Sequence, residues 1–115
     1  MAGSLSPRAV ALASALAAAK HAALAVQGED DGGTANLDSP FLFPGEPRLT
    51  APVVQRAAAA AGVHIGSRYR SSFWNGWFLG SLVKGQGAMR TRMAEAAAKA
   101  LQGAGEDAGV YYRID

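Results

Sequence analysis

Between Gly62 and Lys84 the hydrophobic period changes from 3.6 residues to 2, and by Ala88 it has returned to 3.6. A stretch patterned for one period cannot bury its apolar residues in the other geometry. The chain is therefore expected to mix helices and strands in sequence. The reading is an α+β fold, ordered helix, helix, hairpin, helix, strand, with a three- or four-stranded sheet packed against the helices. At 115 residues, half of them apolar, it has room for one domain with one core. That domain divides into an Ala-rich helix (1–28), an acidic Gly/Pro-rich connection (29–49) and an αββαβ core (50–115). No segment repeats.

Local signals place the helices. Ser6 can cap the first, Pro7 suits its first position, Leu12, Leu16, Ala19, Ala23 and Val26 share one stripe, and Gly28 ends it. The second runs from Thr50 or Ala51 to Ala61, with Pro52 in its first turn, Val54, Ala57, Ala58 and Ala61 on one face and Gly62 as its stop. The third spans Ala88 to Gln102, burying Met89, Met93, Ala96, Ala97 and Ala100, with Glu95 and Lys99 as an i,i+4 pair. Val110, Tyr112 and Ile114 alternate as a last strand. If that strand runs parallel to the one at Trp77, their crossover should be right-handed.

Asn75-Gly76 is the strongest two-residue hairpin signal in the chain. With these two as the loop, Trp74 faces Trp77 and Phe73 faces Phe78. Ile65, Tyr69, Phe73, Phe78 and Leu82 then form the core face. Arg68, Arg70, Ser72, Trp74, Trp77, Leu79 and Val83 form the other, which mixes cations with indoles. Trp74 and Trp77 are either a cross-strand clamp on the hairpin or a stacking surface flanked by arginines. In the connection, Gly32-Gly33 is flexible, Pro44-Gly45 suits a turn, and Phe41–Phe43 should dock on the core as an extended piece, an edge strand where the sheet has four. Glu29-Asp30-Asp31 reads as a solvated acidic turn, since it lacks the spaced ligands of a calcium loop.

Charge narrows the function. The formal net charge is only +2. Yet His64–Lys99 carries Arg68, Arg70, Lys84, Arg90, Arg92 and Lys99 against Glu95 alone, while Gly28–Pro47 carries five acids and no base. A basic half favours phosphates or an acidic protein surface, unless the acidic stretch folds over it. With no cysteine, disulfides, thiolate metal sites and cysteine nucleophiles are excluded. Only two histidines, His21 and His64, remain, and neither has an acid or nucleophile placed beside it by spacing. Gly80-Ser81 lacks the nucleophile elbow. No enzyme activity and no cofactor are expected. The run Ala9–Ala19 after Arg8 mimics a signal sequence but is alanine-rich and weakly apolar, and no segment reaches the roughly 20 apolar residues of a membrane span. A cytoplasmic protein is expected.

The candidate chemistry lies in Lys84-Gly85-Gln86-Gly87-Ala88-Met89-Arg90-Thr91-Arg92, where two glycines join a strand to a helix. Free N–H groups and the dipole make a helix N-terminus attractive to anions, glycines admit them, and Lys84, Arg90 and Arg92 add charge. The alternative is a tight connection with ordinary surface arginines.

The same stretch resembles the last helix of double-stranded RNA-binding domains, with Gly85, Gly87, Arg90, Ala96 and Ala97 on that pattern and Met89 and Thr91 off it. Over residues 85–101 the resemblance implies phosphate contacts. It is also similar to the acetyl-coenzyme A loop of GNAT acetyltransferases, through Lys84 and Gly87. Met89 replaces that family's small residue. The ending GQGAMRTRMAEAAAKAL…AG…VYYRID resembles small uncharacterised proteins of bacterial phages and plasmids, which implies a mobile-element product.

The function expected first is non-catalytic binding of a nucleic-acid backbone through Arg68, Arg70, Lys84, Gly85, Gln86, Gly87, Arg90 and Arg92. The rivals are an anti-CRISPR-like inhibitor of a host defence complex acting through Trp74, Trp77 or the acidic loop, and a coenzyme A-dependent transferase. A homodimer through a free edge or the indole face is a further possibility.

Overall fold

The computed structural model describes residues 5–28, 36–85 and 87–113. Along the chain lie α1 (Pro7–Ala25), β1 (Ser39–Leu42), α2 (Ala51–Ala61), β2 (Tyr69–Arg70), β3 (Asn75–Phe78), a 3-10 turn (Gly80–Leu82), α3 (Gly87–Gly103) and β4 (Ala108–Tyr111). The fold is α+β, with three helices and a four-stranded sheet. No helix among the described residues is long and apolar enough to cross a membrane.

The helices follow their local signals. Ser6 Oγ accepts from the Ala9 N–H at 3.2 Å, and Pro7 opens α1. Gly62 closes α2 in the left-handed conformation at φ 69°. Leu12, Leu16, Ala19 and Ala23 are buried as the stripe predicted, but Val26 is the C-cap and is exposed. On α3 the buried face is Met89, Met93, Ala94, Ala97, Ala98 and Leu101, one step round from the predicted Ala96 and Ala100. Glu95 and Lys99 form no ion pair. The Glu95 carboxylate accepts from the Tyr112 hydroxyl at 2.6 Å.

The sheet order is β2-β3-β1-β4, every neighbouring pair antiparallel. Because β1 pairs antiparallel with both β3 and β4, those two run the same way on either side of it. Likewise β1 and β2 run parallel across β3. These are two interlocked split β-α-β units, the ferredoxin-like connectivity, with α1 added in front. β1 is therefore an interior strand and not the edge that Phe41–Phe43 was expected to form. A proline in an interior strand is unusual, since prolines are normally confined to edges. Pro40 is tolerated because its carbonyl accepts from Leu79 N–H at 2.9 Å, the ladder doing without the return bond. The last strand ends at Tyr111, earlier than predicted, and Ile114 lies outside the described residues, as do Glu29–Asp31 and Gly32-Gly33.

The hairpin register differs from the predicted one. Tyr69 pairs with Gly76 and Arg70 with Asn75, so Asn75-Gly76 belong to the strand and Ser71–Trp74 form the loop. Ser71 N–H donates to the Trp74 carbonyl at 3.0 Å and closes it. Tyr69 lies opposite Gly76 instead of Leu82, an even shift, so Tyr69 still shares a face with Phe78 and Arg68 with Trp77, and what changes is which of the two faces packs on the helices. Trp77, Leu79 and Val83 enter the core with Leu42, Met93 and Leu101, whereas Tyr69 and Phe78 turn to the opposite face and Phe73 projects into solvent. Ile65 and Leu82 are buried as expected. Deep burial of Trp77, at 0% exposure, is the gain that favours this register.

All three helices lie together: α1 packs on α2 and α3, and α3 covers β1 and β4. The opposite face of the sheet is closed by rings. Phe41 sits at its centre, fully buried, with Phe43, Tyr69, Trp74 and Phe78 around it at 5.0, 6.5, 5.1 and 5.0 Å between centroids. Tyr111 meets Trp74 and Phe78 edge-on at 4.9 and 5.1 Å. Edge-to-face pairs of this kind add about 0.5–1.5 kcal/mol each beyond area burial. The ring layer thus does what a second helical layer would do.

Candidate phosphate-binding surface

The structure splits the predicted basic surface in two. Arg70 pairs with Asn75 at the first residue of β3, whereas the turn into α3 leaves from beyond its last residue. The hairpin arginines and the glycine turn therefore occupy opposite ends of the sheet.

At the glycine end, Gly85 and Gly87 adopt φ 83° and 62°, the left-handed geometry that favours glycine. Gln86 lies outside the described residues. The corner is engaged by the chain itself. Asn36 Nδ2 donates to the Gly87 carbonyl at 2.9 Å, and Arg90 Nε donates to the Asp38 carbonyl at 2.9 Å. The buried Asp38 carboxylate accepts from Thr91 Oγ1 at 2.7 Å and from Arg113 N–H at 2.8 Å. A carboxylate beside the first turn of α3 is the anion the helix dipole favours. The chain's own Asp38 carboxylate therefore occupies the neighbourhood in which an external anion was expected. Lys84 lines a cavity of about 180 Å³ with Lys20, Leu24, Ser81, Leu82, Val83 and Met93, and Arg92 is exposed on α3.

At the hairpin end none of Arg48, Arg68 and Arg70 forms an ion pair among the described residues. Arg68 lies across the Trp77 ring, its Cζ 5.2 Å from the centroid, and its Nε donates to Asn75 Oδ1 at 2.9 Å. Loss of solvent, then repulsion from Arg70 and Arg48, lowers its pKa from the ordinary arginine value. It remains a cation at any physiological pH. Among the described residues the ion pair that forms is Arg8–Glu106, which involves none of these three. Arg68 Nη2 and Trp77 Nε1 are both buried donors without a hydrogen-bond partner. The corner is thus rich in donors and positive charge. Arg48 was missed from sequence because it follows the Pro44-Gly45 turn, far along the chain from the hairpin. Only the fold brings it there.

Trp74 and Trp77 do not clamp each other. They lie on opposite faces of the sheet, Trp77 in the helical core and Trp74 stacked on Phe43 at 5.5 Å and 25°. His21 and His64 are exposed, and the His64 carbonyl accepts from Ser81 Oγ at 2.7 Å. No group of three metal-ligating side chains occurs among the described residues.

One titration reports on the Tyr112–Glu95 contact. Bonding to the Glu95 carboxylate pushes the Tyr112 hydroxyl up to about 12, with burial and charge adding to it. Ultraviolet absorbance should show this tyrosine ionising last, and Glu95→Gln should return it toward about 10. Because the folded value exceeds the unfolded one, the contact contributes fully below pH ~10 and is lost as pH rises through ~12. An unchanged curve in the variant would contradict the contact. No protein-family model, curated protein or solved structure matches this chain.

Proposed function

We propose that the chain is a non-catalytic nucleic-acid-binding protein whose phosphate contacts centre on Arg48, Arg68 and Arg70. The observation that carries this reading is the hairpin end itself: Arg68 lies across Trp77 with a buried Nη2 that has no hydrogen-bond partner, Arg70 is exposed two residues on in β2, and among the described residues neither forms an ion pair. Like charges gathered at an edge cost stability unless something compensates them, and a phosphate backbone does so. The stretch His64–Lys84 contains no acid, so the hairpin itself supplies no competitor. The glycine end is secondary, since Arg90 is already bonded to Asp38.

Fluorescence anisotropy of labelled oligonucleotides between about 50 and 200 mM salt tests this. Affinity should fall steeply with salt and vary little with sequence. Arg48→Gln and Arg70→Gln alter exposed side chains and leave the fold intact. Each should flatten the log–log salt slope by about one unit. No binding at ~50 mM salt rejects the proposal. The rival reading, a protein-binding inhibitor, gains support only from the exposed Phe73.

A further inference from the structure

We infer that the nucleic acid taken by this corner is single-stranded, and that Phe73 holds an unpaired base by stacking. The inference rests on the phosphate-binding reading above and adds the form of the ligand.

Phe73 is 87% exposed, the most exposed of the large apolar side chains described. Its flanks are held, which distinguishes it from a ring at a loose tip. On one side Ser71 closes the loop, its N–H donating to the Trp74 carbonyl at 3.0 Å and its hydroxyl accepting from the Trp74 N–H at 3.1 Å. On the other, Trp74 is packed among Phe41, Phe43 and Tyr111. A rigid loop therefore presents one aromatic face outward, and little ordering entropy remains to oppose binding. Arg70 precedes that loop directly, with Arg68 two residues before it and laid across Trp77.

A pinned aromatic ring beside cations is what a single strand can use, because every base has a face to stack and every nucleotide a phosphate to neutralise. A duplex keeps its bases stacked inside and offers the ring nothing without unpairing. A protein partner is the poorer fit. Protein hot spots lie at the centre of a desolvated apolar patch. Phe73 stands instead beside the exposed Ser71 and Ser72, in a stretch without acids and next to a cluster of like charge.

The test is anisotropy with oligothymidine and with a mixed-sequence duplex, using the full chain and its Phe73→Ala, Phe73→Trp and Arg70→Gln variants. Because the side chain is exposed, Phe73→Ala should leave the thermal midpoint unchanged, which separates binding from folding. Phe73→Ala should weaken oligothymidine binding about 5- to 150-fold and leave duplex binding untouched. Phe73→Trp should preserve or tighten it, and Arg70→Gln should weaken both ligands. If Phe73→Ala changes neither ligand, or both equally, while salt-dependent binding persists, stacking is overturned and the phosphate reading stands. If neither oligonucleotide binds at ~50 mM salt, both fall. Capture of a protein by the parent chain but not by Phe73→Ala, without oligonucleotide binding, gives the ring to a protein partner and overturns the inference.

Discussion

Gly76→Ala should cost about 3 kcal/mol or more, at the upper end of overpacking penalties. Gly76 sits in β3 with its Cα hydrogens toward the ring-covered face, where a Cβ would overlap the carbonyl oxygen of Leu42 and come within 3.0 Å of Phe41 Cε2. The first obstacle is the backbone of an interior strand and the second is the ring at the middle of the aromatic layer. Neither can yield as the end of a flexible side chain would. Relief requires β1 and β3 to part at the Leu42–Trp77 pair, which exposes core on one face and rings on the other. A domain of this size has about 5–15 kcal/mol in total, so the variant should unfold at a much lower urea concentration. It should also lose near-ultraviolet dichroism from Trp74 and Trp77. Gly103→Ala is the control, because nothing lies within 4 Å of that Cβ and alanine suits a helix better. Equal midpoints for Gly76→Ala and the parent chain would refute the strand register.

That register is also where reading the sequence reached its limit. Helix ends are decided within a few residues, so Ser6, Pro7, Pro52 and Gly62 marked them correctly. A hairpin register is decided by what the sheet packs against, which for Trp77 is a layer built from three separate helices. Local turn preference favoured Asn75-Gly76. Burial of Trp77 and Leu79 outweighed it, Asn75 Oδ1 became the acceptor for Arg68, and Gly76 became the space beside Phe41. The even shift kept Tyr69 with Phe78 and Arg68 with Trp77, but the face predicted as core turned to the ring layer and the other face packed on the helices. Phe73 passed from predicted core to solvent, and Trp77, expected as a clamp or a stacking surface, became core. The central place of β1 was hidden for a related reason. Four residues containing a proline, within an acidic connection, carry no periodic signal, and only the partners on both sides make them a strand.

The charge pattern was legible as a surplus but not as a place. Counting along the chain grouped Arg68 and Arg70 with Lys84, Arg90 and Arg92, whereas β3 holds the two groups apart. Asp38 belonged to the acidic stretch that was weighed as a possible neutraliser of the basic half. At the first turn of α3 it binds Thr91 and, through its carbonyl, Arg90. The arginine corner on the hairpin has no such partner among the described residues.

Arg8→Met should cost about 3–5 kcal/mol, the loss expected when one member of a buried ion pair is removed and the other charge stays behind. Arg8 lies in the first turn of α1, and its guanidinium meets the Glu106 carboxylate in two bonds of 2.6 and 2.7 Å. The Glu106 side chain is only 3% exposed, so without Arg8 its carboxylate is left desolvated and unpaired. The pair fastens the start of α1 to the turn between α3 and β4, across most of the chain's length. Bonding to Glu106 is also what raises the Arg8 pKa, so the contribution from the arginine persists at every pH below its ordinary value and is lost only above it. No dependence on pH should therefore arise from Arg8 between neutrality and pH ~10. An Arg8→Met, Glu106→Leu double variant should recover most of the loss, because the apolar pair fills the space without desolvated charge. A double-mutant cycle followed by urea denaturation measures the coupling, expected at about 2–3 kcal/mol. A single-variant cost below ~1 kcal/mol that disappears in high salt would mean that the contact behaves as a surface pair and that α1 is held by its alanine and leucine stripe alone.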